Sequence, residues 1–178
     1  MRGFFALGME GISKPMNTGN LIRSAHAFGA SFVFAVNAHQ RVHKAKSDTS
    51  KTPDHLPFYL WDSVDDIVLP AGCALVGVEL TEDAIDLPSF RHPLRAAYVL
   101  GPERGVLSDE MLSKCEHVVK IPTRFCINVA TAGAIVMYDR VRSLGSFASR
   151  PVKPGAPEGE KARHVYGNFR QRTGKSLT

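Results

Sequence analysis

Residues 73–79 read Cys-Ala-Leu-Val-Gly-Val-Glu, and residues 96–100 read Ala-Ala-Tyr-Val-Leu. Both runs are apolar without alternation, which is the pattern of strands buried on both faces of a parallel sheet. Each run ends where polar residues begin. These two segments therefore predict central strands of an α/β sheet.

The N-terminal part of the sequence predicts a β-α-β unit. Phe4–Gly8 and Ser31–Val36 are short runs rich in Phe and Val, and Thr18–Phe28 between them has helical spacing. Asn17 or Thr18 is the expected N-cap of this helix, and Gly29 follows its last apolar residue. The expected buried side of the helix consists of Leu21, Ala25 and Phe28. A short strand at Phe58–Trp61 and a short helix over Ser63–Leu69 come next.

The C-terminal half continues the alternation of helices and strands. Ser108–Lys114 predicts a helix, His117–Ile121 a strand, and Asn128–Leu144 a long helix with one apolar stripe. Strands that alternate with helices indicate an α/β fold, in which helices flank a mainly parallel sheet.

Charge is distributed unevenly along the 178 residues. Residues 150–178 hold seven Lys or Arg and two Glu, and residues 1–149 hold fifteen of each sign. The sequence thus predicts one domain, residues 1–149, followed by a basic tail, residues 150–178, that is flexible. Such a tail suits contact with phosphate, and such tails also serve merely as solubilising segments.

Cysteine usage and the first residues favour a cytoplasmic protein. The three cysteines are odd in number and show no C-x-x-C spacing, so neither a disulfide framework nor a zinc ribbon is indicated. The apolar N-terminal stretch is too short to span a bilayer. His39 and His43 lie four residues apart without a nearby Cys or carboxylate, and we predict no metal site.

Several common catalytic motifs are absent from the sequence. No G-x-G-x-x-G follows the first predicted strand, and there is no G-x-x-x-x-G-K-[ST], H-E-x-x-H or G-x-S-x-G. Three segments remain at predicted strand ends or loops, where ligands bind in open α/β sheets. They are Asn17-Thr18-Gly19-Asn20-Leu21-Ile22-Arg23, Leu100-Gly101-Pro102-Glu103-Arg104-Gly105, and Ile121-Pro122 followed by Cys126-Ile127-Asn128-Val129. Taken singly, each is also an ordinary turn, loop or helix cap.

In this order and spacing, the three segments resemble the motifs of the TrmH/SpoU branch of the SPOUT RNA methyltransferases. The first matches N-x-G-N-[IL]-x-R and the second G-P-E-x-x-G. The third keeps Ile-Pro and Asn-Val, but its loop is shorter than usual, and Cys126 stands where the family has Ser. The resemblance runs from about Phe4 to Leu144 and is closest to the minimal, TrmL-like form.

The resemblance implies a cofactor and an architecture. The cofactor would be S-adenosylmethionine, held in a deep C-terminal trefoil knot, an exception to the rule that chains avoid knots. Family members are homodimers, in which Arg23 would reach the active site of the neighbouring subunit. The implied cofactor-binding residues lie on three loops: Val78, Glu79, Leu100, Gly101, Pro102, Gly105, Ile121, Cys126, Ile127 and Val129.

The implied reaction is 2'-O-methylation of ribose in RNA, with transfer RNA as the expected substrate and ribosomal RNA as the alternative. The residues assigned to catalysis are Arg23, Asn17, Asn20, Glu103 and Asn128. Arg23 is described in the family as a general base, whereas a guanidinium is almost always protonated, which favours a positioning role. Asn128 offers a donor and an acceptor, and Glu103 can orient Asn20, Arg23 or the ribose.

Two other functions stay open, namely an impaired family member that binds RNA and cofactor without methylating, and an RNA base methyltransferase. The predicted RNA contacts are the basic segment His39–Lys51 and the tail from Arg150, which would bind phosphate with little sequence information. Aromatic side chains available for base stacking, if they are not core or interface residues, are Phe58, Tyr59, Tyr166 and Phe169.

Overall fold

The computed structural model of the protein describes residues 3–39, 56–155 and 157. The chain divides into two units, Met1–Ser146 and Phe147–Thr178, and every helix and strand of the described residues belongs to the first. The division into a domain of residues 1–149 and a basic tail stays a prediction. No helix in the described part of the chain has the length and apolar character needed to cross a membrane.

Seven strands of the described residues form one sheet, and every neighbouring pair is parallel. The order across the sheet is β3-β2-β1-β6-β4-β7-β5. The bounds are β1 Phe4–Glu10, β2 Phe32–Val36, β3 Phe58–Trp61, β4 Ala74–Val78, β5 Ile85–Asp86, β6 Arg95–Leu100 and β7 His117–Lys120. The predicted mainly parallel sheet is confirmed, and the two apolar runs at 73–79 and 96–100 are adjacent inner strands, β4 and β6.

Within the described residues, three α-helices accompany the sheet: α1 Pro15–Phe28, α2 Asp109–Lys114 and α3 Val129–Leu144. The predicted start of α1 is wrong, because the helix begins three residues before Thr18 and Lys14, not Asn17 or Thr18, is its N-cap. Pro15 occupies the first turn, where its fixed φ and missing N–H suit a helix start. Asn17 is thereby inside the helix, and its side chain is available for contacts elsewhere.

Two short elements also differ from the prediction. The helix expected over Ser63–Leu69 is a single 3-10 turn, Val64–Asp66, closed by hydrogen bonds from Ser63 to the Asp66 carboxylate. Strand β5, Ile85–Asp86, was not predicted, since two residues are too few to show a period.

The core has one layer on each face of the sheet. On one face α1 and α3 pack against the sheet through residues such as Leu21, Ala25 and Met137. On the other face Met111 of α2 and Val64 cover β1, β2, β4 and β6. Gly133 permits the close approach of the two long helices, since a Cβ built there would lie 2.4 Å from a methyl carbon of Leu21.

Arg140 on α3 is completely buried and organises a polar cluster beneath that helix. Its guanidinium donates to the carbonyls of Phe4, Pro93 and Leu94 and to the Tyr98 hydroxyl. His92 joins the cluster, with Nδ1 2.6 Å from the Tyr98 hydroxyl and Nε2 3.0 Å from Asp139 Oδ2. Burial lowers the pKa of His92 against the opposing effect of Asp139, and burial raises the pKa of Tyr98 to about 12.

Candidate active site

A cavity of about 390 Å³ opens where β4, β6 and β7 end and α3 begins. Carboxyl ends of parallel strands are the usual position of a ligand site in such sheets. All ten predicted cofactor-binding residues line this cavity: Val78, Glu79, Leu100, Gly101, Pro102, Gly105, Ile121, Cys126, Ile127 and Val129. Three of the residues predicted to be catalytic, Asn17, Glu103 and Asn128, line it as well.

The Glu103 carboxylate ties the second motif to the start of α1. Oε2 accepts hydrogen bonds from the Ser13 backbone N–H at 3.2 Å and from Ser13 Oγ at 3.0 Å. Oε1 accepts from the Lys14 backbone N–H at 2.9 Å and from Asn17 Nδ2 at 3.0 Å. Two of these donors are backbone groups at a helix start, where N–H groups lack partners within the helix. Glu103 thus fixes the position of α1 beside the cavity.

Two asparagines continue this network across the cavity wall. Asn128 Nδ2 donates to Asn17 Oδ1 at 3.1 Å, and Asn128 Oδ1 accepts from the backbone N–H groups of Ala130 and Thr131. Asn128 is therefore the N-cap of α3 and at the same time a bridge to α1. In this network each amide uses one of its two N–H donors, so the second donor of each is available to a ligand.

The electrostatic character of Glu103 follows from these bonds. Partial burial raises the pKa of the carboxyl group, but hydrogen bonds from Asn17 and from the backbone of Glu103, Ser13 and Lys14 outweigh it. The net pKa lies below the ordinary value of 4.5, so the group is ionised at neutral pH. An anion with four donors attached is a poor proton acceptor, and its role is to hold other groups in place.

The loop after β6 is fixed by two further carboxylates. Glu79 Oε2 accepts from the Leu107 backbone N–H at 2.8 Å. Glu10 accepts from Ser108 N and Oγ, and Ser108 caps α2. Gly101 lies inside this loop, and a Cβ there would come within 3.0 Å of Leu107 N and 3.4 Å of Glu79 Oε2. The backbone at Gly101 thus forms a cavity wall that leaves little space for a side chain.

Two residues predicted to be catalytic lie apart from this network. Asn20 and Arg23 are exposed on α1 and do not line the cavity. Their helix face also presents Met16, which is 73% exposed. Ile135 and Tyr138 are exposed on the neighbouring helix α3.

Only part of the predicted RNA contacts can be placed. Phe58 is half-buried and Tyr59 is exposed on edge strand β3. Of His39–Lys51 only His39 lies within the described residues, and Tyr166 and Phe169 lie outside them. Arg150 is exposed. Among the described residues, no group of three or more His, Cys, Asp or Glu side chains is arranged to hold a metal ion.

The cavity also includes residues that the sequence did not single out. Lys14, Leu80, Lys120, Thr123 and Ala132 line it, and Ser13 completes the shell around Glu103. Ser13 and Lys14 precede the first motif by a few residues. Their closeness to Asn17 in the sequence was the one sign that they could belong to the site. Nothing in the spacing indicated that their backbone N–H groups would bind a carboxylate about ninety residues away.

Comparisons with known proteins identify a family for the chain. The sequence model of the SpoU rRNA Methylase family matches residues 5–138. The mouse tRNA (guanosine(18)-2'-O)-methyltransferase TARBP1 is 28% identical over 145 residues, which cover 74% of this chain and 9% of that protein. The tRNA (guanosine(18)-2'-O)-methyltransferase of Escherichia coli K12 is 24% identical over 140 residues, which cover 75% of this chain and 61% of that protein. The chain thus spans less than two thirds of the length of either relative.

The fold is also similar to that of a solved structure. The AdoMet-bound rRNA methyltransferase from Sinorhizobium meliloti superimposes with a TM-score of 0.72 and 21% identity. The match covers 82% of this chain and 59% of that chain. At this identity the comparison establishes the shared fold.

Proposed function

Because the chain belongs to the SpoU rRNA methylase family, we propose that it transfers a methyl group from S-adenosylmethionine to a ribose 2'-hydroxyl of RNA. The observation that carries this proposal is the convergence of three separate motif segments on one cavity. Transfer RNA is the proposed substrate, because both curated relatives are named for guanosine 2'-O-methylation of tRNA. Ribosomal RNA is the second substrate class to test.

The cavity suits S-adenosylmethionine in size and character. Its volume of about 390 Å³ lies within the range of small-molecule sites, roughly 300–1,000 Å³. Leu100, Gly101 and Ile121 belong to its lining, and we assign their backbone groups to binding of adenine, which needs no charged side chain. A Cβ added at Gly101 would lie 3.0 Å from Leu107 N, which fits a wall made of backbone. When bound, the cofactor supplies an electrophilic methyl group.

The protein's own task is mainly to position the acceptor. The hydroxyl oxygen must lie in line with the methyl group and release its proton to solvent or to an RNA phosphate beside Arg23, and orientation contributes a large share of such rate enhancements. We assign the remaining amide N–H groups of Asn17 and Asn128 to binding of ribose or cofactor oxygens. Glu103 holds Asn17 in place. Arg23, as a permanent cation, binds an RNA phosphate and orients the acceptor nucleotide.

We propose that the active site is completed by a second copy of the chain. Arg23 and Asn20 are exposed and lie outside the cavity of their own subunit. In the proposed dimer, the Arg23 and Asn20 of one subunit act in the cavity of the other. The exposed Met16 of α1 and Ile135 and Tyr138 of α3 offer apolar surface for such a contact. Mixing inactive Arg23→Ala subunits with weakly active Asn128→Ala subunits tests this arrangement, because each mixed dimer would contain one complete site and transfer should exceed that of either variant alone.

We also propose that the C-terminal part of the domain is threaded as a trefoil knot. The supporting observation is the strand order, with β6 inserted between β1 and β4 and the chain returning from β7 to pack α3 against α1. The basic tail from residue 150 and the segment His39–Lys51 are proposed phosphate contacts, which makes RNA affinity dependent on salt. The proposed location is the cytoplasm.

The function is tested by incubating the protein with methyl-labelled S-adenosylmethionine and total tRNA or, separately, rRNA. Digestion to nucleosides identifies the product. A labelled 2'-O-methylnucleoside supports the proposal and names the substrate class, whereas label on a nucleobase would assign the protein to base methylation. Arg23→Ala should abolish transfer with little change in cofactor affinity, whereas Asn128→Ala should weaken both.

One observation favours a second candidate, an RNA-binding and cofactor-binding protein without transferase activity. Cys126 lines the cavity at the position where the third motif carries Ser in the family, and the loop before it is shortened. Under this reading the wild-type chain binds cofactor and RNA but transfers no methyl group. Methyl transfer by Cys126→Ser, together with none by the wild type, would establish this second candidate.

A further inference from the structure

Phe125 is the most exposed aromatic side chain of the described residues, with 83% of its surface accessible. Single apolar residues on a surface are ordinary, and exposure alone assigns no role. The position of Phe125 is what distinguishes it. Thr123 and Cys126, on either side of it in the same loop, both line the cavity, so Phe125 belongs to a loop at the edge of the proposed active site, and its side chain is open to a partner that occupies this edge.

Hydrogen bonds hold the loop backbone on both sides of Phe125. Thr123 Oγ donates a hydrogen bond of 2.8 Å to the Phe125 carbonyl oxygen, which closes a tight turn. Three residues later Asn128 caps α3 and bonds to Asn17, so the loop is anchored close to its other end as well. An aromatic ring also has only two side-chain torsions to order on binding, which keeps the entropic cost of a contact low.

The charges around Phe125 favour a polyanion as its partner. The segment from Lys120 to Asn128 contains Lys120 and Arg124 and no carboxylate. Arg124 and Lys14 are exposed, and Lys14 lines the same cavity. The two carboxylates of the cavity wall, Glu79 and Glu103, already accept backbone N–H groups. An apolar ring next to exposed cations is the combination that binds unpaired nucleotides, through base stacking and phosphate contact.

We propose that Phe125 is a substrate-stacking residue, on which the base of the acceptor nucleotide or of its immediate neighbour stacks, with Arg124 on the adjoining phosphate. This inference rests on the proposed RNA methyltransferase function and adds to it a requirement for an unpaired base at the acceptor position. Stacking on a ring face is tolerant of base identity. Phe125 therefore selects single-stranded nucleotides without discriminating among the four bases.

The test compares Phe125→Ala, Phe125→Trp and a matched control, Val68→Ala. Val68 is 76% exposed and does not line the cavity. Steady-state methyl transfer is measured with the RNA pool on which the wild type acts. Loss of one base stack corresponds to a rise in the KM for RNA of about ten- to one-hundred-fold in Phe125→Ala. Phe125→Trp should stay close to wild type, and Val68→Ala should be unchanged.

Two further measurements separate stacking from a structural role. The Kd for S-adenosylmethionine and the sedimentation coefficient should be the same in the wild type and Phe125→Ala. The proposal would be overturned if a higher Kd for the cofactor or an altered oligomeric state accounted for the whole loss of methyl transfer. Wild-type kinetics in Phe125→Ala would overturn it as well.

If the wild type methylates no RNA, the proposed function fails, and filter binding of labelled total tRNA decides the inference separately. Binding that is about tenfold weaker in Phe125→Ala than in Val68→Ala supports stacking, and equal binding refutes it.

Discussion

Replacing Glu103 by Gln tests whether the carboxylate network organises the site. The native carboxylate accepts four hydrogen bonds, two on each oxygen. A glutamine can accept on one oxygen only, and its NH₂ group must face donors on the other side. The best arrangement turns the amide oxygen toward Lys14 N and Asn17 Nδ2 and the NH₂ group toward Ser13. Ser13 Oγ can rotate and accept, but the Ser13 backbone N–H loses its partner.

The expected cost is about 1–2 kcal/mol in the free energy of unfolding. A hydrogen bond to a charged acceptor contributes about 1.5–3 kcal/mol when it is buried. Three of the four bonds here are solvent-exposed, so screening reduces their values. One bond is lost outright and the others lose the charge of their acceptor. For a chain of this size, 1 kcal/mol corresponds to roughly 2–4 °C, so the midpoint of thermal unfolding should fall by about 2–8 °C.

The assay is thermal unfolding at several pH values, with Glu82→Gln on the exposed surface as the matched control. Hydrogen bonding lowers the pKa of Glu103 below 4.5 in spite of partial burial. Its stabilising effect is therefore present above about pH 4.5 and is lost as the pH falls through the native pKa. The difference in unfolding midpoint between the wild type and Glu103→Gln should become smaller over that pH range. Glu82→Gln should have the same midpoint as the wild type at each pH. Equal midpoints at pH 7 for the wild type and Glu103→Gln would refute this account of the network.

Three further results are expected. Gly101→Ala should weaken S-adenosylmethionine binding by tenfold or more in titration calorimetry, because its Cβ would press on Leu107 N from inside the cavity wall; unchanged affinity would remove Gly101 from the site. Arg140→Met should lower the free energy of unfolding in urea by about 3 kcal/mol or more, since the carbonyls of Phe4, Pro93 and Leu94 lose their donor; a loss below 1 kcal/mol would show that water replaces the guanidinium. The native pKa of His92 is lowered by burial, so the unfolded chain binds a proton more readily, and the stabilisation present above about pH 6.5 should be lost as the pH falls through the native pKa. His92→Gln should lack this component of the pH dependence. Parallel curves of unfolding free energy against pH for the wild type and His92→Gln would contradict this prediction.

The fold was predictable to the extent that each element carries its own local signal. Strands β4 and β6 are continuous apolar runs, and α3 shows an apolar stripe, so their existence and type follow from short windows of sequence. The start of α1 was missed because an asparagine and a threonine at a helix start usually indicate a cap. Here Pro15 sets the first turn, and Asn17 bonds to Glu103 and Asn128 instead.

The cavity could be predicted residue by residue only because the resemblance supplied the list. Spacing alone identifies three loops at strand ends, and parallel topology brings such ends together. It does not show which side chains meet, because the contact between Asn17 and Asn128 joins positions 111 residues apart. The full burial of Arg140 could likewise not be predicted, since an arginine in an amphipathic helix normally lies on the solvated face.

The hydrogen-bond network also explains how the loops of the second and third motifs are held together at one site. The loops that carry the second and third motifs contain no helix or strand until α2 and α3 begin, so their positions depend on bonds to other elements. Glu103 and Asn128 supply these bonds, and both converge on Asn17 in α1. The same helix carries Arg23 on its exposed face. A subunit contact that orders α1 through Arg23 would therefore also act on Asn17 and the cavity wall, which couples assembly of the proposed dimer to the geometry of the cofactor site. If this coupling operates, conditions that dissociate the dimer should weaken cofactor binding, although the cavity-lining residues named above all belong to one chain.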